Sequence, residues 1–348
     1  MKLTVFTLKC IAICTALSWQ CYEDHRSIPV NIPVREVLRG LTLVAPPGPF
    51  NHDPTEEIRK VQADWIAVVP YAFTPVDKPI VLYNMHDRQW WGERPEGIRE
   101  TIKLAKSAEL KVFLKPQVWS RGWWTGEYEF DSDAAWKNWE LQYQDYIIYY
   151  ARMADSLDVE LFCIGTEFKS SIDRNPDFWS SLIDSVRIIY SGPIIYAANW
   201  DNYKKIPFWN KLDGVGINAY FPLTDHETPS VSVLMEKWRP YERDIRKFYK
   251  KVGKPIVFTE YGYLSVDGCA HNTWELESKI RECRVNQNAQ ANSFEALYRT
   301  FWNEPYWWGG FLWKWYPNGQ GHEGYFDKDY TPQGKKAELI LKDWYGKS

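Results

Sequence analysis

Histidine and methionine are scarce in this chain of 348 residues, with 6 and 4 copies, and the histidines are dispersed. No Cys/His cluster has zinc-binding spacing, and no histidine falls on a predicted strand end. A metal-dependent barrel hydrolase of the deacetylase or amidase kind wants His and Asp grouped there, so that rival is weak and no metal is expected. No Gly-x-Gly-x-x-Gly follows the first strand, which argues against a dinucleotide, and no other cofactor is indicated. Long basic runs are missing as well. With a formal net charge of -3 there is no reason to expect nucleic acid or an anionic membrane surface as partner. Interdomain linkers, repeats and low-complexity tracts are also absent, which leaves one large domain.

The apolar start is too short to span a bilayer. Lys2 and Lys9 precede the mostly apolar Cys10–Trp19 stretch, and residues 1–21 read as an export signal. Residues 22–37 then form a tether and residues 38–348 the folded domain. Cys21, preceded by Ala16-Leu17-Ser18, is a candidate lipid-accepting cysteine, although Trp19 and Gln20 are bulkier than such sites prefer. Ordinary cleavage nearby is the alternative. The expected location is periplasmic, extracellular or on the cell surface as a lipoprotein. Cys163 reads as a small buried thiol in a strand. Cys269 and Cys283 either pair, closing a loop of about 15 residues worth roughly 3 kcal/mol, or are two unrelated thiols.

Aromatic residues are abundant: 20 Trp, 22 Tyr and 16 Phe. Each buried indole needs a partner for its N–H, so many of these rings are expected to line a cleft and stack on sugar faces. Strand-like runs occupy 38–47, 64–73, 111–119, 159–167, 194–200, 212–221, 255–260 and 309–315. Helical patterns lie at Pro95–Ser107, Asp133–Ser156, Pro176–Tyr190, Val231–Lys251, Asn286–Trp302 and Pro332–Trp344, the last opened by a proline. Eight strands alternating with helices predict an α/β fold, a single (β/α)8 TIM barrel.

Chemistry in such a barrel sits at the carboxyl ends of the strands. Glu167 closes the apolar run from Val159, and Glu260 closes the run from Pro255. A carboxylate at the rim of a buried sheet is half desolvated, which suits a general acid or a nucleophile, and two of them point to cleavage of a glycosidic bond. Gln117, Trp119, Asn199, Trp200, Asn218, Tyr220, Trp313 and Trp315 fall at the other strand ends. Alternation puts Lys115 with Gln117 and Asn218 with Tyr220 on common faces. Lys115 would be costly inside an apolar barrel unless it reaches the polar rim.

The strand ends Gly165-Thr166-Glu167 and Thr259-Glu260-Tyr261-Gly262-Tyr263, with Asn218-Ala219-Tyr220-Phe221-Pro222-Leu223, resemble glycoside hydrolase family 113 over roughly residues 38 to 345. The resemblance implies a retaining (β/α)8 glycosidase with Glu167 as acid/base, Glu260 as nucleophile and Tyr220 hydrogen-bonded to the nucleophile. It implies a β-linked, β-mannan-type polysaccharide or oligosaccharide as substrate, and a Trp, either Trp313 or Trp315, stacked on the reacting sugar. Thr166 departs from the Asn that many members of the wider clan carry before the acid/base, leaving Asn199 or Gln117 to hold the sugar 2-hydroxyl. The loops Gln89-Trp90-Trp91-Gly92 and Arg121-Gly122-Trp123-Trp124 are expected to add sugar platforms. A monomer is expected. The rival from another class is a non-catalytic, glycan-binding surface protein on the same barrel, which would have no need of both glutamates.

Overall fold

Short runs rich in Ile, Val, Leu and Phe become strands here because both of their faces are covered, by helices outside and by facing strands inside. The computed structural model describes residues 37–76, 78–86, 88–319 and 324–347, so the export segment and nearly all of the tether lie outside the described residues. Eight parallel strands form the barrel: β1 (Leu38–Leu43), β2 (Trp65–Val68), β3 (Lys111–Leu114) and β4 (Leu161–Thr166) make one half. The other half is β5 (Ile194–Asn199), β6 (Val215–Asn218), β7 (Ile256–Tyr261) and β8 (Trp307–Trp315). Each strand pairs with the next, and β8 closes on β1. The expected (β/α)8 barrel is the fold observed.

Two long strand expectations are corrected. The runs 64–73 and 111–119 each break at a proline, Pro70 and Pro116, which has no N–H to give a ladder. Beyond those breaks Tyr71–Phe73 and Gln117–Trp119 pair with each other as a separate parallel ribbon above the barrel. The Tyr146 hydroxyl donates to the Pro70 carbonyl at 2.8 Å, which anchors the break to the helix behind it.

The helices follow their sequence signals. Pro95 opens Pro95–Ser107, Ser132 caps Asp133–Ser156, Asn175 caps Pro176–Ile189, and Ser230 caps Val231–Val252, which ends on left-handed Gly253. The final helix starts at Lys336, four residues after the expected Pro332. Gln333 explains the delay: its side chain accepts from Tyr316 N and donates to Tyr316 O, which ties this stretch to the end of β8.

Inward-facing Leu38, Trp65, Phe113, Leu161, Ile195, Val257 and Phe311 fill the lower lumen. Burying each of these larger side chains is worth about 1.5–3 kcal/mol. The Phe113 and Phe311 rings lie 4.6 Å apart, and Gly40 makes room for them, since a Cβ there would come within 2.4 Å of Phe311. Cys163 is buried in this layer as expected. Cys269 and Cys283 are separate free thiols, so the pairing alternative does not hold. Cys269 sits 3.8 Å from Ser293 Oγ, whereas Cys283 Sγ points at the Lys279 carbonyl 3.5 Å away.

Gly165 on β4 lies against two helices: a Cβ there would meet the Trp179 ring at 2.7 Å and the Tyr143 hydroxyl at 3.0 Å. Gly165→Ala is therefore expected to lose about 1–3 kcal/mol of stability through overpacking. Urea unfolding checks this, and an unchanged midpoint would contradict the packing described.

Candidate active site

Simple alternation would turn Glu260 outward with Ile256 and Phe258, which pack in the outer core. An extra residue prevents that. On β6, Ile217 pairs with Phe258 but the next residue, Asn218, pairs with Glu260; on β8, Gly310 pairs with Phe258 and Leu312 with Tyr261. This is a β-bulge at Thr259, and it re-aims Glu260 into the lumen while Tyr261 returns to the outside. The Tyr261 hydroxyl then meets those of Tyr298 (3.0 Å) and Tyr345 (2.9 Å), which fixes the outer side.

β4 carries a second bulge, because Cys163 pairs with Ile195 and Thr166 with Ala197. Directly after it Glu167 adopts φ 60°, the left-handed region that a non-glycine residue enters only when its surroundings insist. Its N–H donates to the Ala197 carbonyl at 2.9 Å, and its side chain enters the cleft.

A third irregularity on β8 settles the tryptophan register. Leu41 pairs with Leu312 but Leu43 with Trp315, so Trp313 turns into the cleft and Trp315 into the core, where it is 1% exposed. Trp315 is thus corrected from a sugar contact to a packing residue.

The cleft so formed measures about 700 Å³ and is lined by Gln117, Trp119, Glu167, Asn199, Trp200, Asn218, Tyr220, Glu260 and Trp313, nearly the whole expected set. Lys115 lies beneath it, 0% exposed, with its ammonium bonded to Glu260 Oε1. Gln117 Nε2 donates to the same oxygen at 2.8 Å, and the Tyr220 hydroxyl donates to Oε2 at 2.9 Å. Gln117 is thereby committed to a carboxylate. Glu167 has no cation in contact among the described residues: Asn218 Nδ2 donates to its Oε1 at 2.9 Å and Trp124 Nε1 to its Oε2 at 2.6 Å. The Asn218 amide is oriented by Thr259, whose hydroxyl donates to Asn218 Oδ1 at 2.8 Å.

These surroundings set the titration. Desolvation in the cleft, and then the negative charge of Glu260, raise the Glu167 carboxyl above its ordinary range; the Asn218 and Trp124 hydrogen bonds and the Lys115 charge pull the other way. Burial and the neighbouring carboxylates push the Tyr220 phenol well up, so it stays a hydrogen-bond donor.

Residues the sequence did not single out complete the walls. Trp274 and Glu277 come from the short helix Thr273–Ser278, and Trp274 stacks on Trp200 at 6.2 Å with an interplanar angle of 20°. No motif marks them; the only hint is the long segment between β7 and its helix. The platform loops divide: Trp124 lines the cleft, while Trp123 packs on Tyr128 (4.7 Å) and Trp91 meets Phe50 edge-on (5.7 Å). No group of three or more His, Cys, Asp or Glu among the described residues is placed to hold a metal ion.

A parallel eight-stranded barrel with two unlike carboxylates at the ends of its fourth and seventh strands, in an aromatic cleft, has the fold and site of a barrel glycosidase. The chain belongs to Glycoside Hydrolase Family 113, which it matches over residues 50–335, and it is a retaining β-glycoside hydrolase. It is similar to a GH113 β-1,4-mannanase in a complex structure, at 26% identity and TM-score 0.75, covering 90% of this chain and 100% of that one. It is similar also to the GH113 β-mannanase of Alicyclobacillus acidocaldarius in complex with ManMIm, at 25% identity and TM-score 0.75, covering 89% and 97%. A β-glucuronidase from Ruminococcus gnavus shares the fold alone, at 14% identity and TM-score 0.59, covering 89% of this chain and 50% of that one. No match was found among curated proteins.

If the Glu260 charge helps hold Glu167 high, removing it lowers Glu167. In Glu260→Gln the Glu167 carboxyl is expected to titrate at lower pH than in the parent, read by carbon NMR of labelled glutamate. An unmoved or raised titration would contradict the coupling.

Proposed function

We propose that this protein cleaves β-mannan-type polysaccharides or oligosaccharides by double displacement, with Glu260 as nucleophile and Glu167 as acid/base. One observation carries the assignment: the two carboxylates share a cleft but not an environment. Glu260 pairs with the buried Lys115 ammonium, whereas Glu167 is enclosed with neutral donors and its proton is held to higher pH. A nucleophile has to be ionised while the acid still holds its proton, and this division supplies both states at one pH.

Glu260 attacks the anomeric carbon, and the bond to the leaving oxygen breaks as that oxygen takes the Glu167 proton. Water then attacks the same carbon, giving its proton to Glu167, and the sugar leaves Glu260. Tyr220 steadies the nucleophile through Oε2. Trp313 lines the cleft, where its indole face can meet the apolar face of a sugar ring, and Asn218 and Asn199 offer amides to hydroxyls. The mannan-type substrate rests on family membership and on similarity to β-mannanases at 25–26% identity. A purely glycan-binding barrel would gain nothing from a carboxylate pair divided in this way.

The two variants are expected to behave differently. Glu260→Ala should lose turnover on every substrate. Glu167→Ala should still accept an aryl glycoside whose leaving group needs no proton, and azide should accelerate release of the sugar. Proton NMR of the first-formed product should show the β configuration; an α product, or full activity in Glu260→Ala, would overturn the assignment.

The outer wall gives a separate test. Trp119, 50% exposed, and Trp274, 44% exposed, stand at the cleft with rings open to solvent. Changing either to Ala is expected to weaken mannooligosaccharide binding by about 1 kcal/mol, the scale of one aromatic contact. Calorimetry in a Glu260→Ala background measures it, and equal affinity in both variants would return these indoles to a packing role.

A further inference from the structure

We propose that Lys115 is a positioning residue that drives release of the sugar from Glu260, a reading that rests on Glu260 being the nucleophile. Stability does not call for a lysine here. Taking an ammonium out of water costs several kcal/mol, and a buried ion pair replaced by apolar side chains of similar volume is often no less stable. Lys115 is 0% exposed, follows directly on an all-apolar stretch of β3, and does not line the cleft, so it cannot serve as a substrate contact. Its ammonium reaches one carboxylate oxygen, Glu260 Oε1.

Among the described residues, Lys115 is the one cation in hydrogen-bond contact with Glu260; the other two donors, Gln117 and Tyr220, are neutral. Oε2 has a single neutral donor and is the oxygen freer to attack.

The charges decide the consequence. In the free enzyme the ammonium faces a carboxylate. When Glu260 forms its bond to the anomeric carbon, that carboxylate becomes a neutral ester, and the negative charge passes to Glu167, which has given its proton to the leaving oxygen. Lys115 is then a buried cation whose contact partner is uncharged, with the anion moved to a carboxylate it does not touch. The covalent intermediate is raised relative to the free enzyme. When water attacks and hands its proton to Glu167, the electron pair of the breaking bond returns to Glu260 and restores the ion pair. Lys115 thus favours the carboxylate as a leaving group in the second step.

The test separates the two half-reactions. With a dinitrophenyl β-mannooligoside, whose leaving group needs no acid, stopped-flow absorbance reads attack as a burst and sugar release as the steady rate that follows. In Lys115→Gln and Lys115→Met the steady rate is expected to fall about tenfold or more, with KM falling alongside kcat as the glycosyl-enzyme accumulates. A merely structural lysine would lower the burst amplitude, as the fraction of active enzyme drops, and leave the steady rate per active site and KM unchanged. That result overturns the proposal, as does a parent-like steady rate in either variant. Gln keeps a polar group in contact with Glu260 and Met keeps the volume, so one of them folding is enough to decide. Glu260→Ala is the control. If it turns over, the nucleophile assignment fails; if it is inactive and the Lys115 variants release sugar at the parent rate, only the role of Lys115 fails.

Discussion

Glu260 is bonded to a buried ammonium, and a short way across the same cleft Glu167 is bonded only to an amide and an indole. Two carboxylates with like surroundings in one desolvated space would be equivalent and would disfavour each other's charge. The lysine beneath one of them removes that symmetry. Thr259 extends the arrangement: by donating to Asn218 Oδ1 it leaves the amide N–H for Glu167, so the residue beside one glutamate orients the partner of the other.

The backbone is shaped to permit this. β4, β7 and β8 each carry an extra residue at the level of the site, and β8 carries another lower down, where Trp307 pairs with Ile256 but Gly310 with Phe258. The packed lumen below is a floor that holds the barrel together, and the bulged strand ends above it are a rim that presents side chains. Behind the rim, Tyr143, Trp179, Tyr261 and Tyr298 fill the layer between strands and helices, fully buried. Among the described residues most of the aromatic content therefore goes to packing, and 5 tryptophans line the cleft.

How much of this was legible in the sequence follows from the kind of signal each feature leaves. The barrel was, because eight apolar runs alternate with capped amphipathic helices, and two long helices begin and end as read. Glu167, Glu260, Tyr220 and Asn218 were, because they sit where apolar strands stop. The bulges were not: an inserted residue changes which face a side chain takes without changing composition, so Trp313 and Trp315 could not be told apart. Lys115 was marked only by its cost, and its partner lies 145 positions away, beyond any local pattern. Trp274 and Glu277 reach the cleft through a long excursion whose path depends on tertiary contacts.

The mechanism turns on a sugar becoming bonded to Glu260. Incubation with a 2-deoxy-2-fluoro β-mannosyl fluoride, which forms the glycosyl-enzyme quickly and loses it slowly, followed by proteolysis and tandem mass spectrometry, tests it most directly. One added fluorosugar is expected on the peptide containing Glu260, with none on the peptide containing Glu167. A label on Glu167 or on another residue, or hydrolysis without any covalent adduct, would contradict it.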